Sequence, residues 1–208
     1  MSRRLAIFPL EGAILFPRSY LPLHIFEPRY RAMISDVMAR DQRIGMIQPS
    51  GQPGPRGEPP PLFDVGCIGR VAEIEALEDG RFNIILAGES RFHLMRELEV
   101  ATPFRQVEAE LFPPEQDDPG VLAPSERAAI EQESKLFAER LGYVVDWTAV
   151  ASLDDETLIN GIARIAPFDP PGKQALLEAD TLSERSELTI QLMQFIRRND
   201  GRSAAPLQ

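Results

Sequence analysis

Apolar residues along this chain follow two periods, one before residue 112 and another after residue 124. In the first stretch, short runs at 5–8, 20–26 and 43–47 are rich in apolar and aromatic side chains and predict strands. Pro22 lies inside the second run and assigns it to a sheet edge or a bulge. Residues 65–77 and 81–88 give the longest signal. Ile68, Ala72, Ile74 and Ala76 alternate with Glu73 and Glu75, and Asp79-Gly80 supplies a position that tolerates positive φ, so the pair predicts a hairpin. Residues 90–98 and 104–112 extend the sheet, with a bulge or corner expected at 87–90. One helix interrupts the strands. Pro28 suits a first helical turn, and Tyr30, Met33, Ile34, Val37 and Met38 follow at helical spacing.

After Pro124 the period is helical throughout. Ile130, Phe137 and Leu141 share one face of a first helix. Ser152-x-x-Asp155 opens a second, with Leu158, Ile162 and Ile165 inward. A short helix follows Pro170-Pro171. Thr181-x-x-Glu184 has the spacing of a capping box for the last helix, with Leu188, Leu192, Phe195 and Ile196 on one side. Four antiparallel helices predict a small bundle. Residues 49–61 hold six prolines and three glycines and predict a long surface loop. The Pro-rich break at 113–124 divides a β-rich domain over 1–115 from a helical domain over 120–200, an α+β organisation. Residues 201–208 are expected to fray.

Charge and cysteine content narrow the classes of function. The 208 residues carry a net charge of −10. Residues 1–58 hold eight Arg against five acids, so the remainder is strongly acidic and repels phosphate backbones. Cys67 is the sole cysteine, which excludes an internal disulfide and any cysteine cluster for zinc. The apolar run near the start is too short for a signal peptide, and no stretch approaches the roughly 20 apolar residues of a membrane span. A cytoplasmic location is expected, with no membrane partner.

Each candidate for chemistry has a simpler structural reading. His24 and His93 fall within predicted strands beside apolar neighbours and are expected to be structural. Nothing in the sequence around them supports a catalytic pair with Cys67. Gly172-Lys173 resembles the end of a phosphate-binding loop, but Pro167 and Gln174 stand where Gly and Ser or Thr are required. Ser134 and Lys135 are adjacent on a helix, so their side chains diverge. Asp154-Asp155 sits at a helix start, where the dipole accounts for it. Arg3, Arg4, Arg29, Arg31, Arg40 and Arg43 are expected to be surface charge with one or two salt bridges. No catalytic residue, cofactor or metal ligand is expected.

Three blocks carry a family resemblance. Residues 7–34 contain Phe8-Pro9-Leu10, Phe16-Pro17, Pro22 to Phe26 and Glu27-Pro28-Arg29-Tyr30, and this series resembles the start of the amino-terminal domain of Lon proteases. Residues 62–92, with Val65-Gly66 entering one strand and Gly88 ending the next, are similar to the family's second block. Residues 173–185, beginning Lys173-Gln174, resemble its helical part. The resemblance implies a PUA-like β pseudo-barrel followed by a C-terminal four-helix bundle. A full Lon protease continues into an AAA+ ATPase and a Ser-Lys protease domain. Nothing of either is found within these 208 residues, so the chain resembles the stand-alone substrate-binding domain proteins.

The resemblance therefore implies a non-catalytic module that binds unfolded or client polypeptide in protein quality control or proteolysis. Its partner could be an ATP-dependent protease or a chaperone. Candidate contacts are Phe16, Tyr20, Leu21 and Phe63, beside the Pro-rich loop, in a cleft expected between barrel and bundle. The alternative is RNA binding, because PUA-like folds elsewhere bind RNA. The acidic charge argues against nucleic acid.

Overall fold

The computed structural model describes residues 2–53, 57–117 and 119–200; parts of the expected Pro-rich loop and the whole of the expected frayed tail lie outside them. Six strands form one sheet: β1 (Ser2–Pro9), β2 (Tyr20–Ile25), β3 (Arg43–Ile47), β4 (Val65–Ala76), β5 (Phe82–Glu97) and β6 (Gln106–Leu111). Six α-helices accompany them: α1 (Pro28–Met38), α2 (Pro124–Leu141), α3 (Trp147–Ala151), α4 (Asp155–Ile165), α5 (Pro170–Glu178) and α6 (Leu182–Asp200). The chain divides into two compact units. One comprises Met1–Asp118 with Asp169–Leu177, the other Pro119–Phe168 with Glu178–Gln208.

In the first unit the strand order is β2-β5-β4-β3-β1-β6, and β6 pairs again with β5. The pairings from β5 through β4, β3, β1 and β6 thus return to β5. Only β1 and β3 run parallel; the other pairs are antiparallel. β2, with Pro22, pairs with β5 alone and forms the sheet edge, where a missing N–H costs no ladder bond. The β4–β5 turn places Gly80 at φ 77°, and Leu77 N–H donates to the Arg81 carbonyl at 2.9 Å. At 87–90 the strand does not stop. Register slips opposite Ile68 and Gly69, so Glu89 is left out of the ladder as a bulge and β5 runs on. Gly88 is required there, because a Cβ would lie 2.0 Å from the Phe16 carbonyl oxygen. The predicted alternation in β4 fails beyond Val71: Ala72, Ile74 and Ala76 are exposed.

Leu5, Ile7, Ile47, Ile68, Phe92, Val107 and Ala109 make the central core of this unit. α1 buries Tyr30, Met33, Ile34 and Val37, the face its spacing assigns inward, and Tyr30 packs on Phe8 with ring centroids 4.2 Å apart. The Pro-rich connection between β3 and β4 is exposed at residues 50–53 and 57–59, and Ser50 N–H reaches the Pro61 carbonyl across its neck.

α5 also belongs to this first unit. Gln174 donates to the Val65 carbonyl at 3.0 Å, Lys173 Nζ to the Gly12 carbonyl at 2.8 Å, and Gln48 to the Pro170 carbonyl at 3.3 Å. The short helix after Pro170-Pro171 is thus held through its polar residues, which apolar spacing does not detect.

The second unit contains α2, α3, α4 and α6, and it corrects four expectations. α2 and α6 run in the same direction, since Glu126 meets Ser183 near their starts and Glu133, midway along α2, meets Arg197, late in α6. Asp154, not Ser152, caps α4, accepting from Thr157 N–H at 2.8 Å; Ser152 instead closes α3 by donating to the Ala149 carbonyl. Ile165 is 73% exposed, because α4 turns Leu158, Ile159, Asn160 and Ala163 inward. On α6 the inward residues are Leu182, Arg185, Ser186, Thr189 and Met193, while Phe195 is 64% exposed. Buried polar bonds set that face: Arg185 donates to Asn160 at 2.9 Å and Thr189 to the Arg185 carbonyl. Thr181 and Glu184 do cap α6, through Glu184 N–H to Thr181 and Asp180 N–H to Glu184.

Candidate functional site

The residues singled out from sequence occupy different environments. Phe16 is 1% and Leu21 7% exposed; both pack inside the sheet unit. Tyr20, their neighbour on β2, is 61% exposed, and Phe63 is half-buried, with its N–H donating to the Gln48 carbonyl. Of the four, Tyr20 and Phe63 present surface as the chain stands.

His24 and His93 both lie on strands but face solvent. His93 stacks on Phe112 at 4.2 Å. His24 belongs to a surface relay: Arg81 lies 3.1 Å from its Nε2, Asn83 2.7 Å from its Nδ1, and Asn83 in turn donates to Glu75 at 2.7 Å. His24, Asn83 and Glu75 of this relay line a shallow depression of about 550 Å³ with Pro22, Leu23 and Ile74. Cys67 is fully buried. No group of three His, Cys, Asp or Glu residues that could hold a metal occurs among the described residues.

The arginines near the amino terminus do not make a bare basic patch. Arg3 pairs with Asp41, Arg29 with Glu27, Arg40 with Asp36, and Arg43 with Glu89. The Glu89 hydrogen bond holds the Arg43 guanidinium above its ordinary pKa. Four of the six arginines are thus paired with a carboxylate, while Arg4 donates to the neutral Gln106, and the pairing weakens any phosphate field.

The helical unit contains a different kind of site. A cavity of about 170 Å³ lies among α2 (Phe137, Ala138), the segment before α3 (Tyr143, Val145), α3 itself (Trp147, Val150) and α4 (Leu158, Ile162, Ile165). Its lining is almost wholly apolar. Two of its three hydroxyls are engaged, Ser134 donating to the Ile130 carbonyl and Thr157 to Asp154; the third belongs to Tyr143. Three of its lining residues are exposed and apolar: Tyr143, Leu153 and Ile165. Lys135 lies over the Trp147 ring at 5.7 Å. The space suits one aliphatic or aromatic side chain. Sequence reading missed this site because it placed Ile162 and Ile165 in a core. The signal available was the dense apolar run at 143–150 next to a glycine-ended helix.

Comparison with known proteins gives a consistent result. The model of the ATP-dependent protease La (LON) substrate-binding domain matches residues 4–194. Lon protease of Rhizobium meliloti (strain 1021) is 23% identical over 193 residues, covering 90% of this chain and 23% of that protein. Lon protease 2 of Syntrophobacter fumaroxidans is 24% identical over 113 residues, covering 54% of this chain and 14% of that protein. The chain thus spans a quarter or less of these relatives' length. Two solved structures share the fold: a Lon N-terminal domain protein from Xanthomonas campestris (TM-score 0.66, 18% identity, 91% of this chain and 98% of that one) and the N-terminal domain of a Mycobacterium avium complex Lon protease (TM-score 0.63, 17% identity, 92% and 98%).

Proposed function

Because the chain belongs to the LON substrate-binding domain family, we propose that it recognises protein substrates for proteolysis by binding unfolded or client polypeptide without catalysing any reaction. The sheet, whose pairings return on themselves, is read as a PUA-like pseudo-barrel over 1–115, and the helices over 120–200, apart from α5, as its bundle partner. An ATP-dependent protease or a chaperone would take up the bound client, in the cytoplasm. No helix among the described residues is long and apolar enough to cross a membrane.

The observation that carries this reading is the apolar cavity with its exposed apolar rim. An unfolded chain presents apolar side chains that folded proteins hide, and such a pocket takes one without reading its neighbours. Tyr20 and Phe63 on the sheet unit would add weaker apolar contacts. Phe16 and Leu21 would serve by holding Tyr20's strand in place.

Gly161 provides the test. A Cβ there meets nothing within 4 Å, and Gly161 lines the cavity. Gly161→Leu should fill the space and favour the helix by up to about 1 kcal/mol. Binding of a labelled denatured polypeptide, followed by fluorescence anisotropy, should weaken at least about tenfold while the melting temperature holds or rises. Unchanged affinity in the stably folded variant would refute the cavity as the site. A titration with labelled RNA tests the alternative: tight binding with a steep salt dependence, and no peptide binding, would favour it.

A further inference from the structure

β2 pairs with β5 alone, so one of its edges is open. The Gly88 N–H donates to the Ser19 carbonyl at 2.8 Å, and the register sets Tyr20 against Ala87, Pro22 against Ile85 and His24 against Asn83. Alternation along the strand then turns the backbone groups of Leu21, Leu23 and Ile25 toward β5 and those of Tyr20, Pro22 and His24 outward. No other backbone hydrogen bond reaches Pro22 or His24 among the described residues. The edge thus offers the Pro22 carbonyl and the His24 N–H and carbonyl to an incoming chain, and such groups are what an extended segment needs to join a sheet. We propose that this edge receives an extended cationic segment of a partner protein, which adds to β2 as a further strand and lays an Arg or Lys side chain across the sheet face to Glu73. The edge would read charge, whereas the cavity of the helical unit takes an apolar side chain.

Charge selects the occupant. Across the strands Pro22, Ile85 and Glu73 fall in one row, and His24, Asn83 and Glu75 in the next. Both rows line the depression of about 550 Å³. In the second row Asn83 already donates to Glu75 at 2.7 Å and is itself in contact with His24. In the first row the Glu73 carboxylate is exposed and has no hydrogen-bond or ion-pair partner among the described residues. Neighbouring strands lie about 4.8 Å apart, so a strand added outside β2 sits about 14 Å from β4. Only a long side chain crosses that distance. Its methylenes would lie on Pro22 and Ile85 while its head reaches Glu73, and Arg and Lys combine such a stem with the complementary charge. The net charge of −10 favours the approach of a cationic segment and disfavours a phosphate backbone. Pro22 has no N–H to contribute, so the added strand is short and the complex weak.

Peptide binding to the full chain tests the edge. The probe is a labelled peptide of six residues, the length of β2, in which Arg and Val alternate. Fluorescence anisotropy should show saturable binding. Glu73→Arg should weaken it at least about tenfold with an unchanged melting profile, because the side chain altered is an exposed one. A peptide with Glu in place of Arg should not bind. Hydrogen exchange followed by NMR should show the His24 amide slowed when the Arg peptide is saturating, since that N–H gains an acceptor when the peptide joins the edge. Absence of binding by the Arg peptide overturns the proposal. So does undiminished binding by Glu73→Arg, equal binding of the Glu peptide, or a His24 amide whose exchange is unaltered, which would signify attraction to the sheet face without strand addition.

Discussion

Arg91 is a guanidinium held almost entirely out of water, with its side chain 1% exposed and that of Asp117 6%. Its Nε meets Asp117 at 2.8 Å, one terminal nitrogen donates to the Leu177 carbonyl, the other to the Gln116 carbonyl, and the plane lies 4.5 Å over Phe112. Arg91→Ala should cost about 3–5 kcal/mol, because Asp117 would remain buried without its counter-charge; urea denaturation reads this directly. Lys173 behaves differently. Burial pushes its pKa below the ordinary lysine value. Between that lowered value and the ordinary one of about 10.4, the unfolded chain binds more protons than the folded chain, so stability rises with pH there. Lys173→Met should abolish that alkaline rise, measured as the shift in urea midpoint between pH 8 and pH 10 relative to the unaltered protein. Neither residue was legible as structural from spacing. Both are polar groups buried by tertiary pairing, and Lys173 entered the sequence reading only as part of a failed phosphate-loop match.

At the scale of elements, legibility followed the chemistry of the buried face. α1 hides four apolar side chains at helical spacing, so its inward face could be read from the sequence. Met33→Asp should therefore destabilise by roughly 3 kcal/mol or more, since a fully buried carboxylate must be desolvated or protonated; a thermal melt with a loss under about 0.5 kcal/mol would contradict that packing. α6 hides Arg185, Ser186 and Thr189 instead, and a reading that counts apolar positions selected its outer flank. α4 shows the same displacement, with Ile165 outward at the cavity mouth. The hairpin and the edge position of β2 were readable because Gly80 and Pro22 carry backbone constraints that act locally. The bulge expected at 87–90 falls at Glu89, and β5 continues through it to pair with β6.

For the molecule as a whole, the expected behaviour is binding without turnover. Purified protein should neither hydrolyse ATP nor cleave casein-like substrates, and activity abolished by changing His93 or Lys173 would disprove this. Affinity for a denatured polypeptide should hold as salt is raised, because apolar burial is little screened whereas phosphate contacts are lost steeply. The apolar run at 143–150 was the cavity's one trace in the sequence, and it does not give the cavity's shape. The space itself arises from how α2, α3 and α4 pack, which is a tertiary property.

The attachment of α5 bears on how the protein is made. Gln48, Val65, Gly12 and Arg91 emerge from the ribosome long before residues 170–177, which complete their hydrogen bonds. The first unit therefore waits for about fifty residues of the second to be synthesised before it can close. During that interval Arg91 and Gln48 lack partners that the finished protein supplies. A fragment ending at residue 118 should be loosely packed, with a broad melting transition and dye-accessible apolar surface. Supplying residues 169–178 as a separate peptide should sharpen the transition, whereas a fragment already melting cooperatively without the peptide would show that the nascent unit needs no such delay.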